Sequence, residues 1–275
     1  MLSITIEIYK YLGGFMEFYK GEKTLEDQIV RQGHSFIYGE DCDCRTKFLR
    51  GIEERHPIEP GNNPAVLYLD QFGFKSDVEL SDRIINSIYT MNNQYLAFSI
   101  IARILERTPN NCDLSELINS VNRLFKRKDV KIETIEELLG EIVVSRDFYN
   151  HYYYEFINGN VNSLPLSDIA IPKIILDRFI ERYKQAMDMQ SHFALILDHK
   201  QPISTPSVKV VNNLIGARIS GSLSINVATD PNNWETFDRT SNEDRPIQKT
   251  HDYKEICLDG SYQKSIGTFK QQKGL

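Results

Sequence analysis

Short apolar runs separated by long stretches of helical spacing set the pattern of this chain. Residues 34–38, His-Ser-Phe-Ile-Tyr, read as a first strand, and Ala65–Asp70 reads as a second behind the Pro/Gly/Asn-rich turn at 60–64. The run Phe193-Ala-Leu-Ile-Leu197 is unbroken and ends in Asp198, as expected of a strand covered on both faces in a parallel sheet. Leu223–Thr229 alternates as a fourth strand, and Tyr253–Leu258 forms a short fifth. Between the second and third strands the period changes. Leu80, Ile84, Ile88, Met91, Ile100, Ile101 and Ile104 recur at helical spacing over about 77–107, before Pro109. Further helices are expected from Asp113 or Ser115 to Arg127, over 132–143 and over 172–189. Another follows Pro206, spanning 207–219, with Gly221 closing it. The expectation is one α/β domain over 1–275: a mostly parallel five-stranded sheet flanked by helices. A helical insertion occupies about 77–190, and any ligand belongs beyond the strand C-termini.

The first strand runs into the most informative stretch, Gly39-Glu-Asp-Cys-Asp-Cys-Arg-Thr46. Its spacing is that of a phosphate-cradling loop, G-x-x-x-x-G-K-[ST], with Gly39 first and Thr46 as the Mg-binding hydroxyl. Cys44 stands at the second glycine and Arg45 at the lysine. A planar guanidinium does not replace a compact ammonium conservatively, and a side chain at the second glycine hinders the path that wraps a phosphate. Glu40, Asp41 and Asp43 add carboxylates that repel a triphosphate. Phe193–Asp198 has the form of a Walker B strand, whose terminal acid holds Mg through water. The residue after it is His199, where a catalytic glutamate often stands. The bland alternative is that any buried parallel strand needs a polar residue where it meets its loop. The fourth strand ends in Thr229, a position suited to a polar residue facing a γ-phosphate.

Composition narrows the picture. Charged residues make up 25% and hydrophobic ones 41%, ordinary for a folded domain, and the net charge is −6. That charge argues against a nucleic-acid binder driven by bulk electrostatics, without excluding a local basic patch. No apolar run reaches the roughly 18–20 residues of a membrane span. Residues 1–18 carry acid and lack a signal-peptide cleavage pattern, so a cytoplasmic location is expected. Cys42, Cys44, Cys112 and Cys257 are too scattered for a disulfide framework, and Cys42/Cys44 lack a second ligand pair for structural zinc. His34 and His56 flank the loop at no ligand spacing.

The aromatic run Tyr149–Tyr154 lacks interleaved Arg and Lys, which favours core packing or a partner surface over base stacking. Lys126-Arg127-Lys128 reads as a solvated helix end, Trp234 as a packing anchor, and Arg218 as a surface salt-bridging residue rather than an intersubunit finger.

The order of strand, phosphate-type loop, helix, strand with terminal Asp, helical block, hhhhD strand, helix, strand and short strand resembles AAA+-like P-loop ATPases of the origin-recognition and signal-transducing (STAND) type. The stretches Ser224–Trp234 and His251–Ile256 are similar to a group of prokaryotic origin-recognition-like ATPases often found in antiphage defence loci. The resemblance covers about residues 30–260. It implies Gly39, Arg45 and Thr46 as the phosphate loop, Thr46 and Asp198 as the Mg ligands, and Thr229 as the sensor. The departures at Cys44, Arg45 and His199 imply lost hydrolysis. The short stretch after the fifth strand implies little or no C-terminal lid. The expected function is therefore a degenerate ATPase module without catalytic residues, acting as a regulatory or structural subunit in an antiviral setting. It would bind no cofactor, or ATP with Mg weakly. Its partner would be another protein or a copy of itself, with nucleic acid not indicated by charge and no membrane. Tyr152–Tyr154 should lie partly exposed as a contact patch. The alternatives are a nucleotide-binding switch with slow or no turnover, and a metal-dependent nuclease built on Asp70 and Asp198.

Overall fold

The computed structural model describes residues 25–39, 43–74, 82–109, 112, 114–122, 132–160, 172–200, 204–216, 221–230, 247–249 and 251–258. Glu40 to Cys42, Lys126 to Lys128, Arg218, Trp234 and everything after 258 lie outside them, so the expectations for those positions and for a lid do too.

The strands are β1 (Ser35–Tyr38), β2 (Ala65–Leu69), β3 (Phe193–Asp198), β4 (Leu223–Thr229) and β5 (Lys254–Cys257). The helices are α1 (Asp43–Arg55), α2 (Asp82–Glu106), α3 (Ser115–Asn122), α4 (Ile135–Ile157), α5 (Pro172–Ala186) and α6 (Thr205–Gly216). The sheet has five strands in the order β2-β3-β4-β1-β5, and every neighbouring pair is parallel. This is the expected α/β architecture, with α2 to α5 inserted between β2 and β3.

Strand alternation explains the layers, because successive side chains point to opposite faces. Phe193, Leu195 and Leu197 of β3 join Leu67, Ile225 and Val227 in a large core shared with α2, α4, α5 and α6. Ala194 and Ile196 face the other way, with Val66, Tyr68, Ile37 and Ala228, against Leu49 and Ile52 of α1 and Ile29 of the helical segment 25–30. Asp198 shares the parity of Ala194 and Ile196, so it faces α1.

Several helix boundaries differ from expectation, those of α1 and α4 most usefully for the site. Helix α1 starts at Asp43, within the stretch spaced as a phosphate loop. Arg45 and Thr46 therefore sit in the first helical turn. Helix α4 continues past Val143 to Ile157. Thr134 opens it with a capping box, its hydroxyl accepting from Glu137 N–H while the Glu137 side chain reaches back. No proline interrupts it afterwards, and its buried stripe runs on through Leu138, Ile142, Tyr149 and Tyr153.

That stripe corrects the expected aromatic patch. Tyr153 is fully buried and stacks on Phe74 with ring centroids 4.3 Å apart. Tyr154 is 45% exposed and Tyr152 half-buried. Helical periodicity splits the run, and the outward apolar residues are Val144, Phe148 and Tyr154.

Candidate functional site at the strand C-termini

Parallel register brings distant residues to one edge. Tyr38 lies opposite Thr229 and Asp198 opposite Ala228. Gly39 N–H donates to the Thr229 carbonyl at 3.3 Å, and His199 N–H to that of Ala228 at 2.8 Å. Gly39, Asp198 and Thr229 are thereby neighbours, and the first turn of α1 delivers Arg45 and Thr46 to them. Gly39 also has a packing role. A Cβ there would lie 3.2 Å from Cβ and Cδ1 of Leu258, which the Leu258 N–H bond to the Tyr38 carbonyl holds in place.

Arg45 does not reach toward solvent. Its guanidinium is buried and donates to three acceptors at once. Nη1 binds the Gly39 carbonyl at 2.8 Å. Nη2 binds Asp198 Oδ1 at 2.9 Å and the His199 carbonyl at 3.0 Å. Nε reaches the same Oδ1 at 3.2 Å. The Arg45 and Asp198 side chains are 1% and 0% exposed. The other Asp198 oxygen accepts from Thr46 Oγ1 at 3.1 Å and from the Tyr68 hydroxyl at 2.6 Å. A buried carboxylate costs several kcal/mol in lost hydration, so it persists only with a counter-charge and filled lone pairs. Here both oxygens are satisfied.

Thr229 belongs to the same assembly through His199, whose Nδ1 lies 3.1 Å from Thr229 Oγ1. All five residues expected at the site, Gly39, Arg45, Thr46, Asp198 and Thr229, thus converge. They converge on one another. A phosphate cradled at this loop would need the positive group that Arg45 has turned inward. A magnesium ion on Thr46 and Asp198 would need carboxylate lone pairs that Arg45, Thr46 and Tyr68 occupy, beside a fixed cation. The donor set in this arrangement does not fit Mg-nucleotide.

Sequence reasoning missed Tyr68 and Glu53. Tyr68 reads as one apolar residue among others in β2, but its parity puts it on the face of Asp198. Burial, then the bond to the Asp198 carboxylate and its charge, pushes its hydroxyl pKa well above the usual range. Glu53 is buried on α1. It accepts Tyr68 N–H at 2.8 Å and Arg103 Nε and Nη2 at 2.9 and 2.6 Å. That pair ties α1 to β2 and α2, and no helical period announces it because its partners are far away in the chain. Asp70 is held by Arg50 at 2.8 Å, so each acid of the nuclease alternative is bound to an arginine. Among the described residues no group of acids, histidines and cysteines is arranged to hold a metal ion.

Compared with protein-family models, curated proteins and solved structures, the chain finds no match. Among the described residues no helix is long and apolar enough to cross a membrane.

Proposed function

We propose that this chain is a structural or regulatory module on a degenerate AAA+-like sheet, in which Arg45 takes the place that a bound phosphate would hold. The supporting observation is the buried Arg45 guanidinium bridging the Gly39 carbonyl, Asp198 and the His199 carbonyl. An intramolecular cation makes the loop, α1 and β3 cohere without nucleotide. Phosphoryl transfer depends on positioning and charge stabilisation at the transferring group, and here the positive group is spent on Asp198. The expected origin-recognition-like ancestry and antiviral setting rest on the sequence resemblance.

Such a module acts through contacts with a protein partner or a second copy. The outward face of α4, with Val144 at 63%, Phe148 at 46% and Tyr154 at 45% exposure, supplies apolar and aromatic groups of the kind interfaces favour.

The test is direct. Millimolar ATP with Mg should leave the melting temperature unchanged, because only ligand bound to the native state raises it, and no phosphate should be released above background. Phosphate release abolished by Asp198→Asn would overturn the reading. A thermal shift removed by Thr46→Ala would establish the nucleotide-switch alternative instead.

A further inference from the structure

Beyond the C-terminus of β2, beside the Arg45 site and sharing Tyr68 with it, lies an open cleft of about 460 Å3. That size is in the range of small-molecule sites, and ligands of open α/β sheets bind beyond strand C-termini. Helix α1 packs on β2 and α4 packs on α2. The cleft lies between these two pairs, with residues of all four elements lining it. Tyr68, Tyr95 and Ser99, all buried, form its inner surface.

Two of its ion pairs each stay within one wall, and others tie the walls together through Glu53. Arg50 of α1 binds Asp70 at 2.8 Å, and Arg146 binds its neighbour Asp147 on α4 at 2.9 Å. Arg50, Asp70 and Asp147 are exposed and Arg146 is half-buried; such surface pairs contribute little stability, so a ligand can exchange them. Arg103 and Arg107 lean on the buried Glu53.

Two lining groups remain unspent. Arg107 Nε is buried and has no hydrogen-bond partner among the described residues, although Nη2 of the same guanidinium donates to the Glu53 carbonyl at 2.8 Å. Glu54, the next residue, lines the same cleft and enters no ion pair among the described residues. A buried donor left without a partner costs free energy that a ligand acceptor restores. The Arg107 guanidinium and the Glu54 carboxylate thus line one cleft. A simple anion meets Glu54 and its acidic neighbours unfavourably, and a simple cation meets the arginines.

We propose that this cleft binds a small zwitterion of the amino-acid type, its carboxylate toward Arg107 and its ammonium toward Glu54. Exchangeable Arg50 and Arg146 flank the entrance, and the neutral amide of Asn150 and the hydroxyl of Ser99 serve the ligand's remaining polar groups.

Titration calorimetry of the full chain with glycine, L-aspartate, L-arginine and L-phenylalanine tests it. At least one should bind in the millimolar range or tighter. Its N-acetylated and its C-amidated forms should each bind about tenfold more weakly, since each removes one charge. Glu54→Gln should weaken the free amino acid about tenfold and leave the N-acetylated form unchanged. Arg107→Lys, which keeps charge but removes Nε–H, should weaken the C-amidated form less than the free one. If Arg107→Lys does not fold, the exposed Glu54 variant decides alone. No heat from any of the four amino acids, capped forms that bind as well as free ones, or a Glu54→Gln variant with unchanged affinity would each overturn the proposal.

Discussion

Removing the Arg45 side chain should be among the most damaging single changes in this protein. Arg45→Ala leaves the Asp198 carboxylate fully buried with only the Thr46 and Tyr68 hydroxyls as donors. It also strips donors from the Gly39 and His199 carbonyls. Breaking a buried pair from one side costs about 3–5 kcal/mol, because a charge is stranded without compensation. That is a large part of the roughly 5–15 kcal/mol that holds a domain folded. Asp198→Asn removes the stranded charge, so Arg45→Ala with Asp198→Asn should lose less than the two single variants summed, with a coupling energy of about 2 kcal/mol. Urea unfolding followed by circular dichroism measures this, comparing midpoints at constant slope. Methylguanidinium should also raise the melting temperature of Arg45→Ala but not of the parent chain, since only the variant offers it a native-state site. An Arg45→Ala cost below about 1 kcal/mol, or additive single variants, would refute the internal-ligand argument.

Other perturbations have defined signs. Tyr68→Phe removes the hydroxyl donated to Asp198 and should cost about 1.5–3 kcal/mol in the same urea assay, the range for bonds to charged groups. Gly39→Ala forces a Cβ against Leu258 at 3.2 Å and should cost about 1–3 kcal/mol by overpacking. Acid should weaken the fold through His34. Burial holds its pKa at about 4, with the nearby Asp252 charge opposing, and its Nδ1 accepts Ile225 N–H at 3.0 Å. The unfolded imidazole titrates near 6.5, so the unfolded state binds more protons between the two values. Stability is then full above about pH 6.5 and falls as pH drops toward 4, by about 2 kcal/mol after solvent screening. His192, lowered chiefly by burial, acts in the same direction. His34→Gln should flatten that part of the pH–stability curve.

Much of the fold was legible because strand and helix periods are local signals. The unbroken run at 193–197 announced a strand covered on both faces, and it lies at the interior of the sheet between β2 and β4. The alternation of β4 and the long helical insertion were equally plain. What the pattern could not carry was length at helix ends: α4 runs on to Ile157 because its buried stripe continues through aromatic residues that also suit a surface. The site residues were named by spacing, and register brought them together. Their actual partners were not legible, because Tyr68, Glu53 and Arg103 meet across β2, α1 and α2 without any motif. Side-chain direction decides those contacts, and a one-dimensional pattern does not contain it.

The departures from a phosphate-binding frame make physical sense together. A lysine at position 45 is a point charge that can stretch to a phosphate, whereas a guanidinium is a planar fork with donors in several directions. Arg45 uses those directions on the Gly39 carbonyl, the Asp198 carboxylate and the His199 carbonyl, three acceptors that a lysine ammonium in one position would not reach together. Both Asp198 oxygens are then bonded within the protein. His199 at the next position turns its ring to Thr229, linking the ends of β3 and β4. The substitutions at 45 and 199 are thus complementary: the first closes the loop onto β3, and the second ties β3 to β4. The edge of the sheet that would grip and release a ligand becomes a fixed seam. A fixed seam is what the proposed scaffold role requires, so Arg45 variants that keep their stability would count against that proposal.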